Sequence, residues 1–383
     1  AGSANLAQFP FLVNLTDTDL RTTADGWHVE NTQGFDIIFT SIDGTGTLNH
    51  EIETYSATSG QFVGWVQIPS LKYNSDTVIY MYYGNSAITS SQENVPGVWP
   101  APWKSVAHKN QASSSNELDS VTGSMDYIKA GTGLDSISGK IGFARDSTGG
   151  GDVDYLKNLV LQKNIYPHTF MMWVHIKTLP PLAFARLLSR EPPAAAGLDW
   201  ELDQAAGYQL RPWWGAAMNS ASTVSTGTWI FLATTFTNGT ASIYFNGLLD
   251  ATGANTARND DGDLVLWRSG KGIGRAMTNN TVIDEFRVCQ AALSQPYLRT
   301  TFNNQNNPSA YVTPGPECRE FTWLGEYSTA WTNAMNWAGG QVPSSSNDVY
   351  FAANSLNCAL ASSSACKKLT TEGFTNVLSL GTN

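Results

Sequence analysis

Glu201 and Asp203 stand two apart in the run Trp200-Glu201-Leu202-Asp203-Gln204-Ala205-Ala206. Residues two apart on a β-strand share a face, so both carboxylates point the same way. Paired carboxyl groups are the machinery of glycoside hydrolysis. One attacks or activates water, and the other protonates the leaving oxygen, across roughly 5–5.5 Å in a retaining enzyme. The positions that would carry the proton donor on this strand are Ala205 and Ala206. The run therefore reads as a sandwich strand, and no catalytic residue is assigned.

Other chemistry-bearing residues are sparse. Glu51 and Glu53 repeat the two-residue spacing beside His50 without a third group, which reads as a solvated strand face. His28, His50, His108, His168 and His175 fit no metal-binding spacing. Asn259-Asp260-Asp261-Gly262-Asp263 places the carboxylates of Asp260, Asp261 and Asp263 in one turn. Ca2+ takes about six to eight oxygens from such loops, so the run is either a calcium site or a polar hairpin tip. Trp213-Trp214 lies in a segment flanked by Pro and Gly. It is a candidate sugar-stacking platform, with core or interdomain packing as the alternative. Nucleophile-elbow and dinucleotide fingerprints are absent. Gly149-Gly150-Gly151 has no helix signal behind it and reads as a turn.

The elements that must position these residues are strands. Apolar or alternating runs at 9–15, 35–39, 51–55, 62–68 and 77–83 are separated by turn residues. Further along, Ile243 and Phe245 alternate with Ser242 and Tyr244, and Asn246-Gly247 supplies the positive-φ turn of a hairpin. A short helix is expected near 294–303. Only 14% of residues are charged, and the net charge of −10 comes without a basic stripe. That excludes nucleic acid as the natural partner. No run of 18 apolar residues crosses a membrane. The chain opens at Ala1 without a visible signal peptide, as a processed or incomplete N-terminus would.

Four cysteines occur, none in a Cys-x-x-Cys pair. Proximity favours Cys358 with Cys366, which leaves Cys289 for Cys318; free thiols are the alternative. Alternation with Arg287 and Glu285 points Cys289 outward from its strand.

Three longer stretches resemble known families. Gly34-Phe35-Asp36, the run 48–53, the run 65–69 and Tyr80-Met81-Tyr82-Tyr83-Gly84-Asn85 resemble a bacterial β-sandwich domain of unknown function. That family commonly precedes a laminin-G-like jelly roll and opens with a Trp-x-Tyr-Arg-Arg-type strand that this chain lacks. The resemblance therefore implies a cut N-terminus or an edge completed by another chain. The runs 139–144, 154–156, 169–174, 227–236, 241–247 and 283–288, then Ala291-Ala292-Leu293-Ser294 and the run 303–308, resemble a laminin-G-like, concanavalin-type jelly roll in order. Beyond residue 314, Trp323, Trp331 and Trp337 with Gly340-Gln341-Val342-Pro343 resemble the unit that opens a parallel β-solenoid in bacterial surface proteins.

The expected fold is all-β: a β-sandwich over 1–98, a concanavalin-like jelly roll over 99–313 and a small C-terminal β unit over 314–383. The resemblance implies a non-catalytic extracellular adhesion or glycan-recognition module of a larger surface or secreted protein. Its partners would be a glycan or surface polymer, or copies of itself. A structural subunit of a filament, sheath or virion appendage is the alternative, and a glycoside hydrolase is a second.

Overall fold

The computed structural model describes residues 4–44, 46–148, 155–158, 167–190, 198–213, 217–237, 239–255, 263–268, 275–277, 281–315, 321–338 and 340–380. The fold is all-β, with a concanavalin-like jelly roll at its centre. Two compact units form. The first holds residues 1–38, 48–77 and 83–312, and the second holds residues 39–47, 78–82 and 313–383. Among the described residues, no helix is long and apolar enough to cross a membrane.

In the first unit, strands Leu6–Thr16, Gln61–Leu71 and His50–Ser56 form an antiparallel sheet with Gln61–Leu71 in the middle. Leu6–Thr16 would leave an open edge. The Asn304 side-chain amide instead accepts from Leu12 N–H at 2.8 Å and donates to Leu12 C=O at 3.0 Å. A helix residue thus satisfies the edge as a partner strand would. That helix, Gln295–Asn306, starts where the sequence places it: the Ser294 hydroxyl accepts from Tyr297 N–H.

The jelly roll stacks two sheets. The eight-stranded one centres on His168–Ile176, flanked by Trp229–Thr237 and Thr281–Cys289. The seven-stranded one carries Ala185–Arg190, Leu198–Asp203 and Gln209–Trp213 at one end. Phe170, Trp200, Leu210, Ile243 and Phe286 fill the space between them. The hairpin at Asn246-Gly247 forms as the sequence predicts. Both residues take positive φ, 51° and 74°, and Phe245 pairs with Leu248.

The other face of the eight-stranded sheet is covered too. Met171, Trp173 and Cys289 pack against Leu12, Val63, Trp65, Trp99, Trp103 and Phe302. Cys289 does leave the jelly-roll core, as alternation requires, but it enters a second core and is 1% exposed.

In the second unit, Trp323, Trp331 and Trp337 are buried around Phe351. Their indoles stack edge to face, 4.9 Å and 4.5 Å between ring centres. Two parallel ladders follow: Asp348–Ala352 with Lys368–Glu372, and Cys358–Leu360 with Leu378–Leu380. In both, each residue pairs with the one 20 positions on, Asp348 with Lys368 and Cys358 with Leu378. The expected Cys358–Cys366 disulfide is absent, and Cys289 is also a free thiol. Cys358 sits in one ladder with its thiol in the aromatic core, where burial pushes its pKa up to about 12. Cys366 lies at the entry to the other ladder, beside Asp348. Cys318 lies outside the described residues.

Candidate functional site

Strand Leu198–Asp203 divides its side chains cleanly. Leu198, Trp200 and Leu202 enter the jelly-roll core, so Asp199, Glu201 and Asp203 face away from it. The antiparallel register sets Glu201 opposite Arg186 on one neighbour and Arg211 on the other. Asp199 stands opposite Trp213, and Asp203 opposite Gln209.

The result is a layered polar floor. Glu201 is 3% exposed and meets Arg186 at 3.6 Å, Arg211 at 3.4 Å and Arg275 at 4.0 Å. Arg186 also binds Asp199 at 3.0 Å. Burial raises the Glu201 carboxyl above the usual carboxylate range, with the three guanidiniums pulling it back. Above this floor, Arg211 lies 4.3 Å from the Phe184 ring centre and 5.3 Å from that of Trp213, while Arg275 lies 5.5 Å from Phe184. Phe184 holds φ at 60°, a left-handed conformation rare for an aromatic residue, and such strain concentrates at ligand-contacting positions. Asn219 donates to Asp203 and Gln209, each at 3.1 Å. The Trp213 indole N–H is buried and has no acceptor among the described residues.

Trp213 thus ends a strand of the sheet, half-buried beside a guanidinium. It does not lie in a segment leaving the sandwich, as its Pro and Gly neighbours suggest. Trp214, Asp260 and Asp261 lie outside the described residues. Asp263 is ion-paired with Lys157 at 2.5 Å.

A second cluster escaped sequence reasoning. Glu51 and Glu53 do not face solvent: they lie under the jelly roll with His108 and Glu285. His108 Nδ1 is 2.8 Å from Glu285 Oε1 and 3.7 Å from Glu53 Oε2, and Nε2 is 3.3 Å from Glu51 Oε2. Ser120 and the Trp99 indole donate to Glu51, each at 2.7 Å, and the Trp65 indole donates to Glu53 at 2.9 Å. Arg287 pairs with Glu285, its guanidinium over Trp65 and Trp99 at 4.1 Å and 4.6 Å. A bulge opposite Met171 and Trp173 aims Glu285, whose φ is 51°. Burial and the Glu285 charge push Glu53 up to about 8. Burial opposes the charge on His108, yet Glu285 and Glu51 outweigh it and hold its pKa well above the ordinary value. Burial would raise Glu51, but His108, Ser120 and Trp99 carry it below the usual range. The one available signal was the alternation that put Glu285 and Arg287 on the non-core face.

Residues 33–100 match the model of a domain of unknown function (DUF2341), and residues 148–298 match that of the concanavalin A-like lectin/glucanases superfamily. The chain therefore carries a DUF2341 domain followed by a concanavalin-like domain. No curated protein matches the chain. Several solved structures match part of the chain at low similarity. Domain 4 of an extracellular arabinanase from Geobacillus stearothermophilus, solved in complex with arabinotriose, is 17% identical. Its TM-score is 0.41, over 52% of this chain and 97% of that one. The binding domain of Paraclostridial Mosquitocidal Protein 1 is 16% identical with a TM-score of 0.41, over 53% of this chain and 52% of that one. A Trypanosoma rangeli sialidase in complex with 2,3-difluorosialic acid is 18% identical with a TM-score of 0.42, over 57% and 34%. Likeness at this level transfers no residue roles.

Proposed function

We propose that this chain is a non-catalytic extracellular module that retains a glycan or surface polymer on the face built by Phe184, Arg211, Trp213 and Arg275. The observation that carries the reading is the pair of half-buried rings, Phe184 and Trp213, lying beside the Arg211 and Arg275 guanidiniums. A sugar presents apolar C–H faces ringed by hydroxyls. Half-buried aromatics offer the first a surface. Arg211 and Arg275 offer the hydroxyl oxygens hydrogen bonds, and Arg275 is the more open, with 37% of its side chain exposed. The extracellular placement rests on composition: few charges and a chain rich in Gly, Ser, Thr and Asn.

The non-catalytic part rests on what surrounds Glu201. Its partners on the adjacent strands are guanidiniums, which cannot give up a proton and so cannot serve as the acid of a hydrolase. Affinity electrophoresis through gels containing single polysaccharides tests the proposal. The wild-type chain is expected to be retarded by at least one of them. Trp213→Ala is expected to migrate freely there while keeping its near-ultraviolet circular dichroism. Equal retardation of a folded Trp213→Ala chain would remove that residue from the site.

A second reading, a structural subunit of a filament, sheath or virion appendage, draws support from the second unit. Its 20-residue parallel offset is what the first coils of a solenoid would produce. Leu369, Val377 and Leu378 are exposed there, an apolar surface that a neighbouring copy could cover. Sedimentation at rising concentration separates the readings: a persistent monomer supports glycan retention, and open-ended growth supports assembly.

A further inference from the structure

The structure assigns a divalent transition-metal site to Glu53, His108 and Glu285, clamping the N-terminal sheet onto the jelly roll. One donor atom from each residue lies within 4.8 Å of the other two. A tetrahedral ion with bonds near 2.0–2.1 Å sets its donors about 3.3 Å apart. The separations around His108 Nδ1, 2.8 Å to Glu285 and 3.7 Å to Glu53, straddle that value. Small side-chain shifts therefore bring the donors onto one ion.

The surroundings fit a cation. Glu53 Oε1 is buried and accepts no hydrogen bond among the described residues, so it is free to be a further donor. Gly142 backs onto that oxygen, and a Cβ there would stand 2.5 Å from it. Glu51 faces the far nitrogen of His108. With the Nε2 proton directed to Glu51, the Nδ1 lone pair points at the ion, the carboxylate–histidine–metal arrangement that fixes ligand tautomers. Three carboxylates, Glu51, Glu53 and Glu285, surround the place where a dication would sit, with the Arg287 guanidinium as their other cation. One imidazole and two carboxylates suit Zn2+, Fe2+ or Mn2+. The ligands come from strand His50–Ser56, the segment after Trp103–Ala107 and the bulge of Thr281–Cys289. Binding would therefore join distant parts of the first unit.

The test uses the full chain, refolded from urea with Co2+ present so that burial does not block entry. One equivalent of Co2+ per chain is expected, with the visible absorption of a four-coordinate centre, displaceable by Zn2+. Glu53→Gln and Glu285→Gln should each weaken uptake by at least about 100-fold, and Glu51→Gln, which only orients His108, by about 10–100-fold. Near-ultraviolet circular dichroism reports folding. If a glutamine variant fails to fold, the wild-type stoichiometry and spectrum decide alone. A folded wild-type chain that takes up no stoichiometric Co2+, or a folded Glu53→Gln chain that takes up as much as wild type, overturns the assignment.

Discussion

Lys109 is fully buried in the jelly roll, its ammonium 4.2 Å from the ring centre of Tyr127 and 5.7 Å from that of Phe286. No hydrogen-bond acceptor among the described residues reaches it. Burial pulls its pKa down to about 8, against the attraction of Glu117. An exposed lysine keeps its proton to about pH 10.4. Between those values the unfolded chain binds more protons than the folded one, so stability rises with pH across the window. At about 1.36 kcal/mol per pKa unit, the cost of the buried charge is roughly 3 kcal/mol, carried in full below about pH 8. Lys109→Met removes the charge and keeps most of the volume. The variant should be more stable than wild type by roughly 3 kcal/mol at about pH 7, and the gap should close by about pH 10.4. Urea unfolding of both chains at a series of pH values reads this directly. A gap that does not change with pH, or a variant less stable at neutral pH, would refute the claim that burial outweighs what the rings and Glu117 return to this ammonium.

Other consequences are as specific. Arg287→Met leaves Glu285 buried without its guanidinium and should cost about 3–5 kcal/mol in urea unfolding; a cost below about 1 kcal/mol would mean that His108 suffices. Asn304→Ala strips two hydrogen bonds from the buried Leu12 backbone, at about 1–3 kcal/mol for each group left unsatisfied. It should speed amide exchange along Leu6–Thr16, and unchanged exchange there would contradict the edge-capping role. Gly247→Ala places a Cβ 2.6 Å from Arg299 Cα and 2.8 Å from Leu298 C=O at a φ of 74°. It should destabilise by more than about 1 kcal/mol, and a melting point equal to wild type would show that the hairpin can move off the helix.

Local signals were legible and faces were not. Asn246-Gly247 announces its hairpin because only particular residues tolerate two positive φ values. Ser294 announces its helix because it caps the first turn. The alternation of Phe286 and Val288 with Glu285 and Arg287 announces a core strand. Alternation says which residues share a face but not what covers it. Glu51 and Glu53 look solvated for that reason, yet a second layer buries them, as it buries Glu285 and Cys289. The bulge that aims Glu285 has no glycine to mark it. At the proposed sugar site, Glu201 was visible as a carboxylate, but the three arginines around it come from two other strands and a distant segment. Residue spacing within one strand carries no trace of such neighbours. The cysteine pairing failed similarly: nearness in sequence does not place two thiols on the same ladder.

The most direct measurement is a glycan array probed in parallel with wild-type chain and Arg211→Ala, with released reducing ends assayed on the retained polysaccharide. The account predicts retention by wild type, loss of retention when Arg211 no longer bridges Phe184 and Trp213, and no new reducing ends. Undiminished retention by the folded variant, or new reducing ends that vanish in Glu201→Gln, would contradict it.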